Sequence, residues 1–245
     1  MNTTDLAAKS EAGSQVPSHL RPQTRLVEVR QNILKQNDTV ARELRRRFHE
    51  AGIFVVSLVS SPGTGKTAFL ERVLTQSRQQ HNVAALVGDL ATDNDAQRLA
   101  RSCAPVKQII TGTVCHLEAE MVKNAIEGWL PKDVDLLFIE NVGNLVCPSS
   151  YDLGEDLRLV LMSVTEGEDK PLKYPTIFNT ADVAIITKTD IADAVGFDRI
   201  TARASIERVR PGMTIFEVSS KTGAGMQPWL DDLAARKAEA GKGQG

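Results

Sequence analysis

The run IFVVSLVSS (53–61) passes directly into PGTGKT (62–67). A short apolar stretch rich in β-branched residues and ended by Pro-Gly fits a strand buried on both faces. Helical spacing resumes immediately afterwards, so the glycines mark a strand-to-helix junction. The segment 60-SSPGTGKT-67 follows the phosphate-loop pattern G-x-x-x-x-G-K-[ST], with Ser60 where the first glycine is usual. In that pattern backbone N–H groups turn inward around phosphate oxygens, and the helix N-terminus adds its positive end. Gly63, Thr64, Gly65, Lys66, Thr67 and Ala68 are the expected phosphate contacts. Lys66 is expected to reach the β- and γ-phosphates, and the Thr67 hydroxyl to ligate Mg²⁺. A glycine-rich turn without a ligand is the competing reading, and the strand–loop–helix setting argues against it.

Around this junction the pattern alternates. Residues 1–24 are polar and aperiodic and read as a flexible arm. Leu26, Val29, Ile33, Val40 and Leu44 are spaced for a helix over about 25–50. Strands are expected at 83–88, 135–140, 157–165, 182–187 and 214–219, and helices at 66–79, 94–102, 116–128, 198–209 and 226–238. This predicts an α/β fold of the P-loop NTPase kind, a doubly wound, mostly parallel sheet flanked by helices. It would form one domain over 25–238 that includes the N-terminal helix, with 239–245 as a frayed tail. A net charge of −2 gives no general attraction to nucleic acid, and no apolar run is long enough for a membrane. The N-terminus lacks the basic and apolar regions of a secretory signal, and three cysteines cannot all pair, so a reducing, cytoplasmic setting is expected.

A phosphate loop needs acids at neighbouring strand ends. In 140-ENVG-143, Glu140 and Gly143 are similar to the D-x-x-G switch of GTPases, with Glu140 on the Mg²⁺ side and the Gly143 N–H facing the γ-phosphate. In 88-GDLATDND-95, Asp89 is a candidate Mg²⁺ or water ligand, and Asp93 and Asp95 are candidates to orient the attacking water. The competing reading for each acid is a helix N-cap or first-turn carboxylate; it weighs at least evenly for Asp93 and Asp95, whereas the strand-end position favours a functional role for Asp89 and Glu140. The base is addressed by 187-TKTD-190, similar to N-K-x-D with Thr187 in place of Asn. Asp190 would accept from guanine N1–H and N2–H₂, a pairing adenine cannot reproduce, and Lys188 would lie over the ring. Further on, 219-SSKTGAGM-226 resembles the loop that contacts the guanine carbonyl, which brings in Ser220 and Lys221. The nucleotide is therefore expected to be GTP or GDP. In 167-GEDKPLKYP-175, Lys170 is either placed to reach phosphates across a dimer or part of a solvated loop.

The pair Cys115-His116 and the more distant Cys147 offer two thiolates and an imidazole, a plausible set for Zn²⁺ or Ni²⁺. Spacing alone leaves open a catalytic thiol or simply buried cysteines. Cys103 has no such company and reads as core. Three ligands leave a coordination position for water, a substrate protein or a second protomer, which suggests a site near a two-fold interface, coupled to the nucleotide.

Taken in order, SSPGTGKT, GDLATDND, GTVCHLEAEMV, LLFIENVGNLVCPSSYDLGE, SVTEGEDKPLKYP, TKTD and SSKTGAGM resemble the HypB family of hydrogenase nickel-incorporation GTPases, in the signal-recognition/MinD-like class, over roughly 25–235. The resemblance implies slow, Mg²⁺-dependent GTP hydrolysis and a GTP-dependent homodimer. It also implies Ni²⁺ or Zn²⁺ held by Cys115, His116 and Cys147 at the dimer interface. The implied partners are a HypA-like nickel carrier and the large subunit of a [NiFe]-hydrogenase. A related chaperone GTPase serving a urease or a cobalamin enzyme is the alternative, although the Cys-Pro-His motif of the urease-type UreG is not found here. The arm lacks the cysteine cluster or histidine-rich stretch of some family members, with His19 as its one histidine, so no nickel storage is expected.

Overall fold

The computed structural model describes residues 21–90 and 94–242, with the side chains of the first helix from Val27 onward. The elements run α1 (Arg21–Glu50), β1 (Phe54–Ser60), α2 (Lys66–Ser77), β2 (Val83–Asp89), α3 (Asn94–Leu99), β3 (Val106–Ile110), α4 (Ala119–Ile126), β4 (Leu136–Glu140), β5 (Leu157–Ser163), α5 (Lys170–Lys173), α6 (Pro175–Thr180), β6 (Val183–Thr187), α7 (Arg199–Val209), β7 (Thr214–Glu217) and α8 (Met226–Lys242). All seven strands pair in parallel, in the order β3-β2-β4-β1-β5-β6-β7. This is the doubly wound α/β architecture expected.

The order places the phosphate loop. β1 sits mid-sheet between β4 and β5, and every residue of it is buried. Its carboxyl end, where ligands bind in such sheets, therefore lies beside the carboxyl end of β4 and its Glu140. Phe69, Leu70, Val73 and Leu74 of α2 pack with Trp229 of α8 against one face. On the other face α1 contributes Ala41, Leu44 and Phe48, which meet Leu117, Ala119, Val122 and Ile126. Val29 and Ile33, which belong to the same periodic pattern, stay exposed. The partner helix α4 is only eight residues long, so it covers a short part of the α1 stripe.

Four local differences from the sequence expectations have physical reasons. β3 was not expected, because Lys107 and Gln108 interrupt its apolar run; as an edge strand it pairs with β2 alone and buries only Ile109. α4 begins at Ala119 rather than 116, since Glu118 is extended at its N-cap and Cys115 and His116 stay in the loop. The segment expected as a loop after β5 forms α5 and α6, each with a proline in its first turn. α8 runs on to Lys242, and Ala240 packs on the core, so most of the stretch expected to fray from 239 is helical. The expected arm at 1–24, including His19, lies almost entirely outside the described residues. Among the described residues no helix is long and apolar enough to cross a membrane.

Candidate functional site: a nucleotide pocket beside a thiol–imidazole cluster

The turn between β1 and α2 is built on two left-handed glycines, Gly63 at φ 75° and Gly65 at φ 95°. That backbone is open to glycine at little steric cost and aims successive N–H groups into one concavity. Ser60, standing where the pattern has glycine, ends β1 fully buried, and its hydroxyl donates to the Ser61 carbonyl at 2.8 Å. It therefore takes no space from the pocket. A cavity of about 490 Å³ opens over the turn, lined by residues 61–68 together with Asp89, Asp95, Arg98 and Gly143. A side-chain carbon on Gly143 would meet the Pro62 backbone at 3.1 Å, so glycine lets the segment after β4 close onto the phosphate loop.

Glu140 is the electrostatic centre. Its Oε1 accepts from the Thr67 hydroxyl at 2.8 Å and lies 3.0 Å from Lys66 Nζ. Its Oε2 is buried without a hydrogen bond. Burial pushes the Glu140 carboxyl above the usual carboxylate range; Lys66 and Thr67 oppose this, and nearby Asp95 adds to it. An orphaned carboxylate oxygen beside a threonine hydroxyl, with Asp89 on the same cavity, suits a hard divalent cation such as Mg²⁺. Asp93 lies outside the described residues.

The base-side residues divide. Asp190 Oδ1 accepts from Ser219 Oγ at 2.7 Å, which joins 187-TKTD-190 to the 219–226 loop. Lys188 adopts a left-handed φ of 60°, and its ammonium donates to the Gly63 carbonyl at 2.7 Å, over the phosphate loop. Ser220 and Lys221 line an adjoining cavity of about 400 Å³ with Ala68, Arg72 and Arg98. Thr187 departs from the nucleotide contact expected of it. It is buried, and its hydroxyl donates to the Thr64 and Met162 carbonyls. Lys170 does not line the pocket either; it lies 3.3 Å from Glu166, whose other oxygen accepts from Thr64 Oγ1 at 3.0 Å. Sequence reasoning passed over Glu166, although an acid just beyond the end of β5 is the same strand-end signal that singled out Asp89 and Glu140.

The thiols converge. Cys115, His116 and Cys147 bring their ligand atoms within 4.8 Å of one another. The two sulfurs lie 2.7 Å apart, and His116 Nδ1 is 3.9 Å from Cys115 Sγ. Tyr151 lies against the imidazole, with ring centroids 4.0 Å apart, and Glu118 Oε1 is 3.5 Å from Nε2. Neither Glu118 nor Tyr151 was singled out from the sequence; a carboxylate two residues beyond a candidate histidine ligand is the signal for the first. Cys103, expected in the core, is exposed at the left-handed end of a short turn.

Residues 54–217 match the family described as CobW/HypB/UreG, nucleotide-binding domain. The hydrogenase maturation factor HypB of Rhizobium leguminosarum bv. viciae is 44% identical over 234 residues, 94% of this chain and 78% of that protein. The chain belongs to the HypB family. The crystal structure of HypB from Helicobacter pylori in complex with nickel superposes with a TM-score of 0.78 at 41% identity, covering 83% of this chain and 96% of that one. HypB from Archaeoglobus fulgidus gives a TM-score of 0.77 at 37% identity, over 83% of this chain and 99% of that chain.

In this HypB-family chain the cluster has the chemistry of a soft-to-borderline metal site. Burial lowers the His116 pKa, and Glu118 only partly offsets it, so the ring is neutral at pH 7. Its Nδ1, on the thiol side, then has a lone pair available if Nε2 carries the proton towards Glu118. The Cys115 thiol is raised, first by its contact with Cys147 and then by burial. A divalent ion there must displace thiol protons.

Proposed function

We propose that the chain is a GTP-hydrolysing nickel carrier that assists metal insertion into the large subunit of a [NiFe]-hydrogenase. The observation that carries this reading is the meeting of Cys115, His116 and Cys147 directly beside the segment 140–144 that borders the phosphate loop. One five-residue stretch thus serves both the nucleotide pocket and the thiol cluster.

In this reading the loop N–H groups and Lys66 hold the β- and γ-phosphates, and Asp190 with the 219–226 loop selects guanine. Asp89 or Asp95 orients a water in line with the γ-phosphorus; the bond to the β–γ bridging oxygen breaks, leaving GDP and phosphate. Mg²⁺, held by Thr67 and Glu140 with Asp89, would neutralise charge developing on the phosphates. Lys66 then exchanges its ion pair with Glu140 for the phosphates. Lys170, leaving Glu166, completes the partner's pocket in a GTP-dependent homodimer, where water, a second protomer or the receiving protein supplies the remaining nickel ligand. A HypA-like carrier and the hydrogenase large subunit are the proposed partners. Zn²⁺ is the competing ion for the same ligands.

The test is a Ni²⁺ titration of the reduced protein with a non-hydrolysable GTP analogue, followed by thiolate-to-nickel charge-transfer absorbance, beside Cys147→Ala. Saturable binding that collapses in the variant is expected. No thiolate–nickel band in either protein would overturn the nickel role, and phosphate release from GTP tests hydrolysis separately.

A further inference from the structure

Two carboxamides in 140-ENVGN-144 connect the nucleotide segment to the thiol cluster. Asn141 is buried, and its backbone N–H donates to the Leu58 carbonyl at 3.0 Å, anchoring it to β1 just ahead of the phosphate loop. Its Oδ1 accepts two backbone N–H groups, from Val142 at 2.9 Å and from Leu117 at 3.0 Å. Val142 precedes Gly143, which closes on Pro62, and Leu117 follows His116. The Leu117 side chain packs over Gly88, where only a glycine leaves room for it: an added carbon would meet it at 2.7 Å. Asn144 does the same for the other half, its Oδ1 accepting from Val146 at 2.8 Å and Cys147 at 3.3 Å.

We infer that Asn141 is a positioning residue that ties the γ-phosphate-facing segment to the Cys115–His116 loop and transmits nucleotide state to it. The inference rests on reading 140-ENVGN-144 as that γ-phosphate-facing segment. One oxygen shared between Val142 and Leu117 cannot keep both bonds when the Gly143 N–H turns to a phosphate and draws Val142 with it. The Leu117 amide then loosens or follows, and His116, one residue away, moves with it. Cys147 is carried by the same segment through Asn144. Both halves of the cluster therefore respond together, although they are far apart in sequence.

The test is amide hydrogen exchange over residues 114–121 in the metal-free full chain, with GDP or a non-hydrolysable GTP analogue. Wild type is compared with Asn141→Ala, in which water replaces the acceptor, and Asn141→Asp, which keeps it. In wild type the exchange rate should differ between the two nucleotides by roughly fivefold, the size of one hydrogen bond made or lost. The ratio should fall close to one in Asn141→Ala and survive in Asn141→Asp. An exchange rate blind to the nucleotide in wild type overturns the inference, as does a ratio that persists in Asn141→Ala. If Asn141→Ala does not fold, wild type and Asn141→Asp decide: a ratio lost in Asn141→Asp overturns it. Nickel titration of the same samples is a separate readout. Coupling without nickel binding leaves the inference standing and removes the metal function; nickel binding without coupling does the reverse.

Discussion

Thr187 Oγ1 donates to the Thr64 carbonyl at 2.6 Å, across 123 positions of sequence. The residue that replaces the usual asparagine of the guanine motif is thus a tether from β6 to the phosphate loop. Thr187→Val keeps the shape and removes the donor, leaving a buried carbonyl short of a partner. That costs about 1–3 kcal/mol. Because the phosphate loop is common to both nucleotides, GTP and GDP affinities should weaken by similar factors. Titration with fluorescent GTP and GDP analogues checks this; a selective loss of one would contradict the tether.

Base choice should depend on Asp190 instead. Its carboxylate is oriented by Ser219, which is fully buried, and in the proposed reading its other oxygen accepts from guanine N–H groups. Asp190→Asn replaces one acceptor with a donor. GTP binding should fall by about 100-fold, roughly 3 kcal/mol for charge-assisted hydrogen bonds. Xanthosine triphosphate, whose 2-oxo group accepts from an amide, should gain. Competition binding with the two nucleotides reads the ratio directly.

What the sequence made legible follows from how local each signal is. Strands buried on both faces, such as β1, β4 and β6, announce themselves by composition, and the phosphate loop by backbone geometry that only glycine supplies cheaply. β3 did not, because an edge strand may carry Lys107 and Gln108 without cost. The Cys115, His116 and Cys147 grouping was read from the sequence as a plausible ligand set, but its geometry was not legible: the spacing of 32 positions becomes 2.7 Å only because the loop after β3 reaches past β2 to the segment after β4, where Asn141 accepts from the Leu117 N–H. Where the side chains of Thr187 and Lys170 point was not legible, for one reason. A motif position says which residue type stands there, not which way its side chain turns, and both turn towards partners within the protein, Thr64 and Glu166.

Glu140 makes the nucleotide-free protein sensitive to pH. Its folded pKa is raised, chiefly by burial, above that of the unfolded chain. The stability linked to its protonation is therefore fully present below the unfolded pKa and is lost as pH rises through the folded value. A divalent cation on Glu140 reverses this by favouring the ionised form. The rise in melting temperature produced by Mg²⁺ with GDP should accordingly grow from pH 5.5 to 7.5, and much less so in Glu140→Gln. Thermal melts across that range with and without Mg²⁺ provide the check.

The thiol cluster should show the same kind of competition between metal and protons, at thiols instead of a carboxylate. Cys115 is raised by its contact with Cys147 and by burial, so at neutral pH the metal-free Cys115 thiol is protonated. Each thiolate–metal bond then releases a proton. His116, lowered by burial, is already neutral and adds no competition above pH 7. Apparent nickel affinity should therefore rise with pH, by about tenfold per unit for each thiol proton displaced and up to about 100-fold per unit for two. Cys147→Ala removes one of those protons together with the neighbour that raises Cys115. Its pH dependence should be no steeper than about tenfold per unit, on a weaker overall affinity. Nickel titrations between pH 6.5 and 8 measure both slopes, and a wild-type slope near zero would mean that the thiols do not ligate the ion.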